Sequence, residues 1–401
     1  MKIKFISCWY HTSYAAYTDC LRKALERRVG EEVHVIASNC GCNDPMDGVF
    51  FDRSCDYFEL PHVGYWRSRN PLKRWLRRAL RDLVYRQRAR KYLQRGRDAE
   101  VLHFQQTLNA YGSLVVFKWL SLPATAVRVV TVHELDPNQL DYPELNRTYN
   151  RADRILVHQT ELKDSLIALG VDAGRIDLIR HGVDVQPRFK GARDGIIFYG
   201  GHQLNPGKGL ETLSRALALV RERLGARTPI LKIHGYYGDG EMLEYGRRCV
   251  ADAGVADLVR WLGRIDLAKM HREYRHSLAC VIPFTASFAG LPAAVAMAND
   301  VPVIATRFAG LPQHLGEAGI YVTEKSPPEL ADAIVRVVED GPWRAQHAAA
   351  GRQRVDDLLS WNAVAGGLLE TYQGALDRRL AGAAAAAGPW TPARDTSSLA
   401  R

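Results

Sequence analysis

The stretch Val281–Val322, VIPFTASFAGLPAAVAMANDVPVIATRFAGLPQHLGEAGIYV, constrains the fold more than any other part of the chain. Its apolar pattern predicts a short strand over Cys280–Ile282, a loop over Pro283–Gly290, a helix over Pro292–Ala298 that opens on proline, and a buried strand over Val303–Thr306. Strand, loop, helix and strand in that order make the unit of a parallel α/β sheet. In an open sheet of this kind ligands sit outside the carboxyl ends of the strands, so the loop Phe284–Gly290 and the helix start behind it are expected to face one.

A second stretch has a related logic. Ile196–Tyr199 predicts a buried strand, followed by Gly200-Gly201-His202-Gln203-Leu204-Asn205-Pro206-Gly207-Lys208-Gly209 and a helix from Leu210. Glycines that admit close backbone N–H groups, a lysine, and a helix start whose dipole favours anions suit a diphosphate.

The segments Gly290-Leu291-Pro292, Ala296-Met297-Ala298, Val301–Thr306 and Ala309-Gly310-Leu311-Pro312, in register without a gap, resemble the nucleotide-sugar site of retaining GT-B glycosyltransferases of family 4. Ala152–Val157 and Arg175–Asp184, with the turn His181-Gly182-Val183-Asp184, resemble the last strands of that family's N-terminal domain and its exit to the linker. The resemblance implies an α/β protein of two Rossmann-like domains facing each other across a cleft, with a C-terminal helix crossing back. The acceptor-binding domain is expected over residues 1–187, the nucleotide-sugar domain over 193–358, the crossover helix over 359–380, and a disordered low-complexity tail over 381–401.

The resemblance also implies roles. Lys208 is the cation that offsets charge on a leaving nucleotide diphosphate, and His133, in Thr131-Val132-His133-Glu134, lies beside the donor sugar. A lone histidine after a strand is otherwise a hydrogen-bonded structural residue. Donor contacts fall on Gly200, Gly201, His202, Gln203, Gly209, Arg264, Ser287, Gly290, Leu291 and Val295. The family carries two glutamates eight positions apart where this chain has Ser287 and Val295, and neither residue supplies a carboxylate. A helix-closing glycine is replaced by Asp300, a residue type that tolerates the left-handed cap. The implied function is transfer of a sugar, with retention and without a metal ion or cofactor, from a nucleotide-diphosphate sugar to an acceptor. The competing reading is a degenerate GT-B protein that binds a partner or glycan without turnover, and a nucleotide-sugar epimerase is a smaller alternative.

At the other end of the chain, Lys2–Ser7 predicts a strand and Thr18–Arg28 a helix. The intervening loop, with Tyr10, His11 and Ser13, either shapes an acceptor pocket or packs on its own domain. Charge is concentrated in one place. Between Arg67 and Arg97 there are thirteen Lys or Arg and one acid, Asp82, so this segment carries +12 of a net +10 and the rest of the chain is slightly acidic. Leu72, Trp75, Leu76, Ala79, Leu80, Leu83 and Val84 recur at helical spacing, with Lys73, Arg74, Arg77, Arg78 and Arg81 elsewhere around the helix. The apolar stripe either covers the N-terminal sheet or docks on anionic lipid, with Arg74, Trp75, Arg77 and Arg78 as contacts. No nucleic-acid module surrounds it, so nucleic acid is not expected as a partner. In the second case the acceptor is a lipid-linked sugar of a surface polysaccharide. Seven cysteines, the absence of a signal-like start and the lack of a membrane-length apolar run lead to a cytoplasmic expectation, at the inner face of the membrane if the helix docks. Cys40, Cys42 and Cys55 complete no metal-ligand spacing, and free thiols are expected.

Overall fold

A computed structural model describes residues 1–7, 12–38, 55–58, 71–105, 110–133, 135, 146–201, 204–235, 240–286 and 290–387, the side chains of some of these excepted. The chain divides into two compact units. One comprises Met1–Val157, Leu162–Leu178 and Ala365–Arg401, the other His158–Glu161 and Ile179–Val364.

The first unit holds a seven-stranded parallel sheet. Its strands are β1 (Ile3–Ser7), β2 (His34–Ser38), β3 (Cys55–Phe58), β4 (Val101–Gln105), β5 (Val127–Val132), β6 (Arg154–Val157) and β7 (Ile176–Leu178), in the order β3-β2-β1-β4-β5-β6-β7. Helices α1 (Thr12–Val29), α2 (Pro71–Arg95), α3 (Ala110–Ser121) and α4 (Thr160–Ala168) connect them. The strands are short apolar runs, as parallel strands covered on both faces must be, and β4 and β5 are buried along their whole length. Helix α1 starts six residues before the expected Thr18, so Ser13 lies within it.

Helix α2 realises the basic amphipathic segment, with a correction. Its inward face is made by Tyr85, Arg88, Ala89 and Tyr92, all buried, whereas Leu72, Leu76, Leu80 and Leu83 are 52–72% exposed. Four leucines that the spacing offered as a cover for the sheet therefore face solvent. The reason lies in the heptad positions: the C-terminal half of the helix supplies its own apolar face from two tyrosines and an alanine, roughly opposite the leucine row.

The second unit holds a six-stranded parallel sheet of β8 (Ile196–Gly201), β9 (Leu231–Gly235), β10 (Val259–Gly263), β11 (Ala279–Ile282), β12 (Val303–Thr306) and β13 (Ile320–Val322), ordered β10-β9-β8-β11-β12-β13. Its helices are α5 (Leu210–Leu224), α6 (Gly240–Asp252), α7 (Leu267–Arg275), α8 (Gly290–Ala298), α9 (Leu311–Leu315), α10 (Pro327–Glu339) and α11 (Gly341–Arg354). The strands and helices anticipated around Val281–Val322 are all present, and Asp300 takes the left-handed conformation at φ 56 that was expected of it. Its carboxylate meets Arg352 Nη1 at 3.3 Å.

The last helix, α12 (Trp361–Ala387), belongs to the second unit as far as Val364 and to the first from Ala365. It runs past the expected end at 380, because the alanine run 383–387 has the highest helix propensity of any residue type. Residues 388–401 lie outside the described residues.

Candidate functional site

In each sheet the strand order reverses once, between β1 and β4 in the first unit and between β8 and β11 in the second. At such a point two neighbouring loops leave the carboxyl edge in opposite directions and open a crevice between them.

In the second unit those loops are the ones that follow β8 and β11, and they are tied together. Thr285 N donates to Gly207 O at 2.9 Å and Ala286 N to the same oxygen at 3.3 Å. Residues 206–208 form a single 3-10 turn, and Gly209 follows with φ 72 before α5 begins. A side chain at Gly209 would press far inside van der Waals contact of the Pro283 carbonyl oxygen. Only glycine satisfies both the dihedral and the approach. Gly209→Ala is therefore expected to cost about 2–3 kcal/mol of stability, against about 1 kcal/mol for Gly254→Ala. Gly254 has a similar φ of 67 but open space around it; denaturant unfolding of both variants checks the difference.

The turn places Lys208 in a nearly buried position with Nζ 4.4 Å from the Phe284 ring centroid. Burial disfavours the ammonium form and brings the lysine down to about 8. An anion placed here meets a cation held by an aromatic ring, with the first turn of α5 behind it.

Helix α8 begins at Gly290, and its start is covered by His314, whose Nε2 occupies the space a side chain at Gly290 would need. His314 is held neutral, at about 4, by burial and then by the nearby His181, Arg180 and Arg354. His181 sits in the turn singled out by sequence, its ring 5.7 Å from His158 and 5.6 Å from Trp361. Gly182 has no room for a side chain because the Trp361 ring lies on it. The His-Gly-Val-Asp turn thus has a packing reason of its own. His314, Phe284 and His158 were not among the candidates, since a single histidine in a short helix, or a single histidine or phenylalanine after a strand, carries no spacing signal.

The remaining donor candidates separate. Gly200 and Gly201 end β8, with Gly201 at φ 75. Arg264 is exposed beyond Gly263, and Leu291 is 44% exposed at the start of α8. Val295 is packed in the hydrophobic core, its carbonyl accepting from Asn299 Nδ2 at 2.8 Å. That position has become an apolar core residue. His202, Gln203 and Ser287 lie outside the described residues, as do Tyr10, His11 and Glu134 and the side chains of Ser13, Arg74, Trp75, Arg77 and Arg78.

In the first unit His133 follows β5, half-buried, with its Nε2 3.1 Å from Gln105 Oε1 and the Tyr17 ring edge-on at 5.0 Å. Gln105 ends β4, so both residues stand at the carboxyl edge beside the strand-order reversal. Among the described residues no cluster of three or more His, Cys, Asp or Glu side chains could hold a metal ion, and no helix is long and apolar enough to cross a membrane.

Comparison with known proteins matches this geometry. Residues 15–187 fit the family model Glycosyltransferase Family 4, and residues 193–340 the model Glycosyl transferases group 1. The chain is similar to the D-inositol 3-phosphate glycosyltransferase of Thermomonospora curvata, with 30% identity over 56% of this chain and 58% of that protein. That of Thermobifida fusca is 28% identical over 56% of each. The matched region thus spans little more than half the length of these relatives. Among solved structures, sucrose-phosphate synthase from Thermosynechococcus elongatus superposes with a TM-score of 0.67 at 21% identity, covering 96% of this chain and all of that one. Anabaena HepE in complex with UDP superposes with a TM-score of 0.67 at 15% identity, over 93% of this chain and all of the other. With one glycosyltransferase model matching each part of the chain and solved structures superposing over nearly its whole length, the chain has the GT-B fold and is similar to the group 1 and family 4 glycosyltransferases.

Proposed function

We propose that the protein transfers a sugar from a nucleotide-diphosphate sugar, bound at the β8–β11 crevice of the second unit, to an acceptor bound by the first. The observation that carries this is Lys208, a buried lysine at the strand-order reversal, above a glycine turn that no other residue fits. The transfer proceeds with retention and needs no metal ion. The bond from the anomeric carbon to the diphosphate oxygen breaks as the acceptor oxygen bonds to that carbon on the same face, and the acceptor proton passes to the departing phosphate. Lys208 and the first turn of α5 stabilise the charge that develops on the diphosphate. Calorimetric titration with a panel of nucleotides and nucleotide sugars tests the reading: one nucleotide diphosphate binds in the micromolar range, and the failure of every member to bind a folded protein refutes it.

A second reading is favoured by the burial of Val295 in the core, which removes a carboxylate from the place where the family holds its nucleotide. Under it the chain binds a nucleotide sugar, a glycan or a partner without turnover. Binding without transfer to any acceptor would separate it from the first.

On the first unit we infer that α2 docks on an anionic bilayer, where the acceptor is a lipid-linked sugar. Exposed Leu76, Leu80 and Leu83 lie on the same helix as exposed Lys73, Arg86, Arg90 and Lys91, the combination an interfacial helix needs. Replacing Leu76 and Leu80 together with glutamate is expected to lower partitioning onto phosphatidylserine-containing vesicles by about tenfold or more, because it removes apolar insertion and adds repulsion. Cosedimentation measures it, and equal binding of wild type and variant would refute docking through this face.

A further inference from the structure

The second unit carries an open recess of about 540 Å³ at the edge of its sheet opposite to the β8–β11 crevice. Its lining comes from the segment that leads into β8, from Leu278 and Pro302 just ahead of β11 and β12, and from α11, which places it at the amino ends of the strands. Strands of four to six residues, about 13–20 Å, separate it from the crevice at their carboxyl ends. An anion bound at one place therefore makes no contact at the other.

Charge in this recess is one-sided. Among the described residues Arg188, Lys190, Arg193 and Arg344 line it against one carboxylate, Asp300, whose Oδ1 is already shared by Arg188 at 3.6 Å and Arg352 at 3.3 Å. Arg193, half-buried, lies over the Phe189 ring, 5.6 Å from its centroid, and donates from Nη1 to the Ser277 carbonyl at 3.2 Å. Arg344, also half-buried, donates from Nη1 to the carbonyls of Val337 and Val338. Among the described residues Nε and Nη2 of these two arginines make no hydrogen bond, neither arginine has an ion pair, and exposed Lys190 has no partner of either kind. The carbonyl contacts explain where the guanidinium groups are held, but they offer no counter-charge. Burial, opposed by Asp300, lowers Arg193 from its ordinary value, and nearby Arg344 lowers it further. An anion in the recess relieves that repulsion and engages the N–H groups that the carbonyls leave unused.

A phosphate monoester suits this set of groups. Its doubly charged head has three terminal oxygens for two guanidinium forks and an ammonium, where a carboxylate brings two oxygens and one charge. The volume is in the range of small-molecule sites and well beyond what inorganic phosphate fills, and Leu278, Pro302, Ala345 and Ala348 supply an apolar lining for the remainder. We propose that this recess is a second small-molecule site, taking an organic phosphate monoester whose phosphate meets Lys190, Arg193 and Arg344 and whose organic part rests on Leu278, Pro302 and the alanines of α11. The inference rests on the recess alone and not on sugar transfer at the other edge of the sheet.

The test titrates the full chain into phenyl phosphate at low salt and follows the phosphorus NMR linewidth. The wild type is expected to broaden the signal with a dissociation constant that is roughly millimolar or tighter. Lys190→Glu, a change at an exposed side chain on which no contact of the fold depends, is expected to weaken binding by about tenfold or more, and Arg193→Gln by about tenfold. Lys208→Ala, at the carboxyl edge, leaves the titration unchanged. Inorganic phosphate binds several-fold more weakly than phenyl phosphate, since it leaves the apolar lining unused. The proposal is overturned if phenyl phosphate does not broaden, or if Lys190→Glu binds as the wild type does. Loss of binding in Lys208→Ala alone would place the phosphate in the β8–β11 crevice and overturn it equally. Equal affinity for inorganic and phenyl phosphate would reduce the recess to a simple anion site and remove the organic ligand.

Discussion

If Lys208 meets the diphosphate as proposed, Lys208→Ala is expected to lower the affinity for a nucleotide diphosphate by about a hundredfold, the equivalent of roughly 3 kcal/mol for a charge-assisted contact in a partly desolvated site. The folded state should tolerate the change, because the lysine makes its cation–aromatic contact with Phe284 at a nearly buried site where the charge is itself a burden. The pH dependence of wild-type binding gives an independent reading of the same contact. Burial places the lysine at about 8 without ligand. A bound diphosphate favours the ammonium form and raises that value, so binding takes up a proton wherever the free protein has lost it. Affinity is therefore full below pH 8 and falls by up to about tenfold per unit above it, until the value in the complex is reached. Titrations at pH 7, 8.5 and 9.5 check this, and Lys208→Arg, which stays charged throughout, flattens the profile. An affinity that is the same at pH 7 and 9.5 in the wild type would remove Lys208 from the diphosphate site.

How far this site could be read from sequence depends on the kind of signal each residue leaves. Lys208 and Gly209 are legible because a glycine turn between a buried strand and a helix has few uses, and the structure adds the reason in the approach of Pro283. The strand-order reversal was not readable, since it depends on which strands pair across the sheet and no local pattern records it. The hydrogen bonds that join His103 to Thr131 and Tyr372 link residues far apart in sequence, and no local pattern records them. The leucine row on α2 shows the opposite failure. Helical spacing identified the stripe correctly, but spacing carries no information on what a stripe meets, and a second apolar face built from Tyr85, Ala89 and Tyr92 packs instead.

Acid should unfold the second unit ahead of the first. His158, His234 and His314 all belong to the second unit and are all buried, and burial lowers them from the usual 6.5 to about 3, 4 and 4. His158 Nδ1–H donates to the Ile179 carbonyl at 2.7 Å, and His234 Nε2 pairs with the Tyr274 hydroxyl at 3.0 Å; neither of these bonds offers a counter-charge for an imidazolium. Arg180 and Arg354 beside His314 oppose one. The sign follows from the depressed folded values. Above 6.5 both states are neutral and stability is complete, whereas below it the unfolded chain takes up protons that the folded unit refuses. Each histidine then removes about 1.4 kcal/mol per pH unit until its folded value is reached. Three of them over the two units from pH 6.5 to 4.5 amount to roughly 8 kcal/mol, comparable with the whole stability of a domain. Asp98, in the first unit, is held well below the usual carboxylate range by Lys2 and Lys4 and titrates below this window. Hydrogen exchange at pH 6.5, 5.5 and 4.5 should show β8–β13 losing protection while β4 and β5 retain it, and His158→Phe should reduce the pH slope by about one proton. Uniform loss of protection across both sheets, or an unchanged slope in the variant, would mean that these histidines accept protons in the folded unit and that water reaches them there.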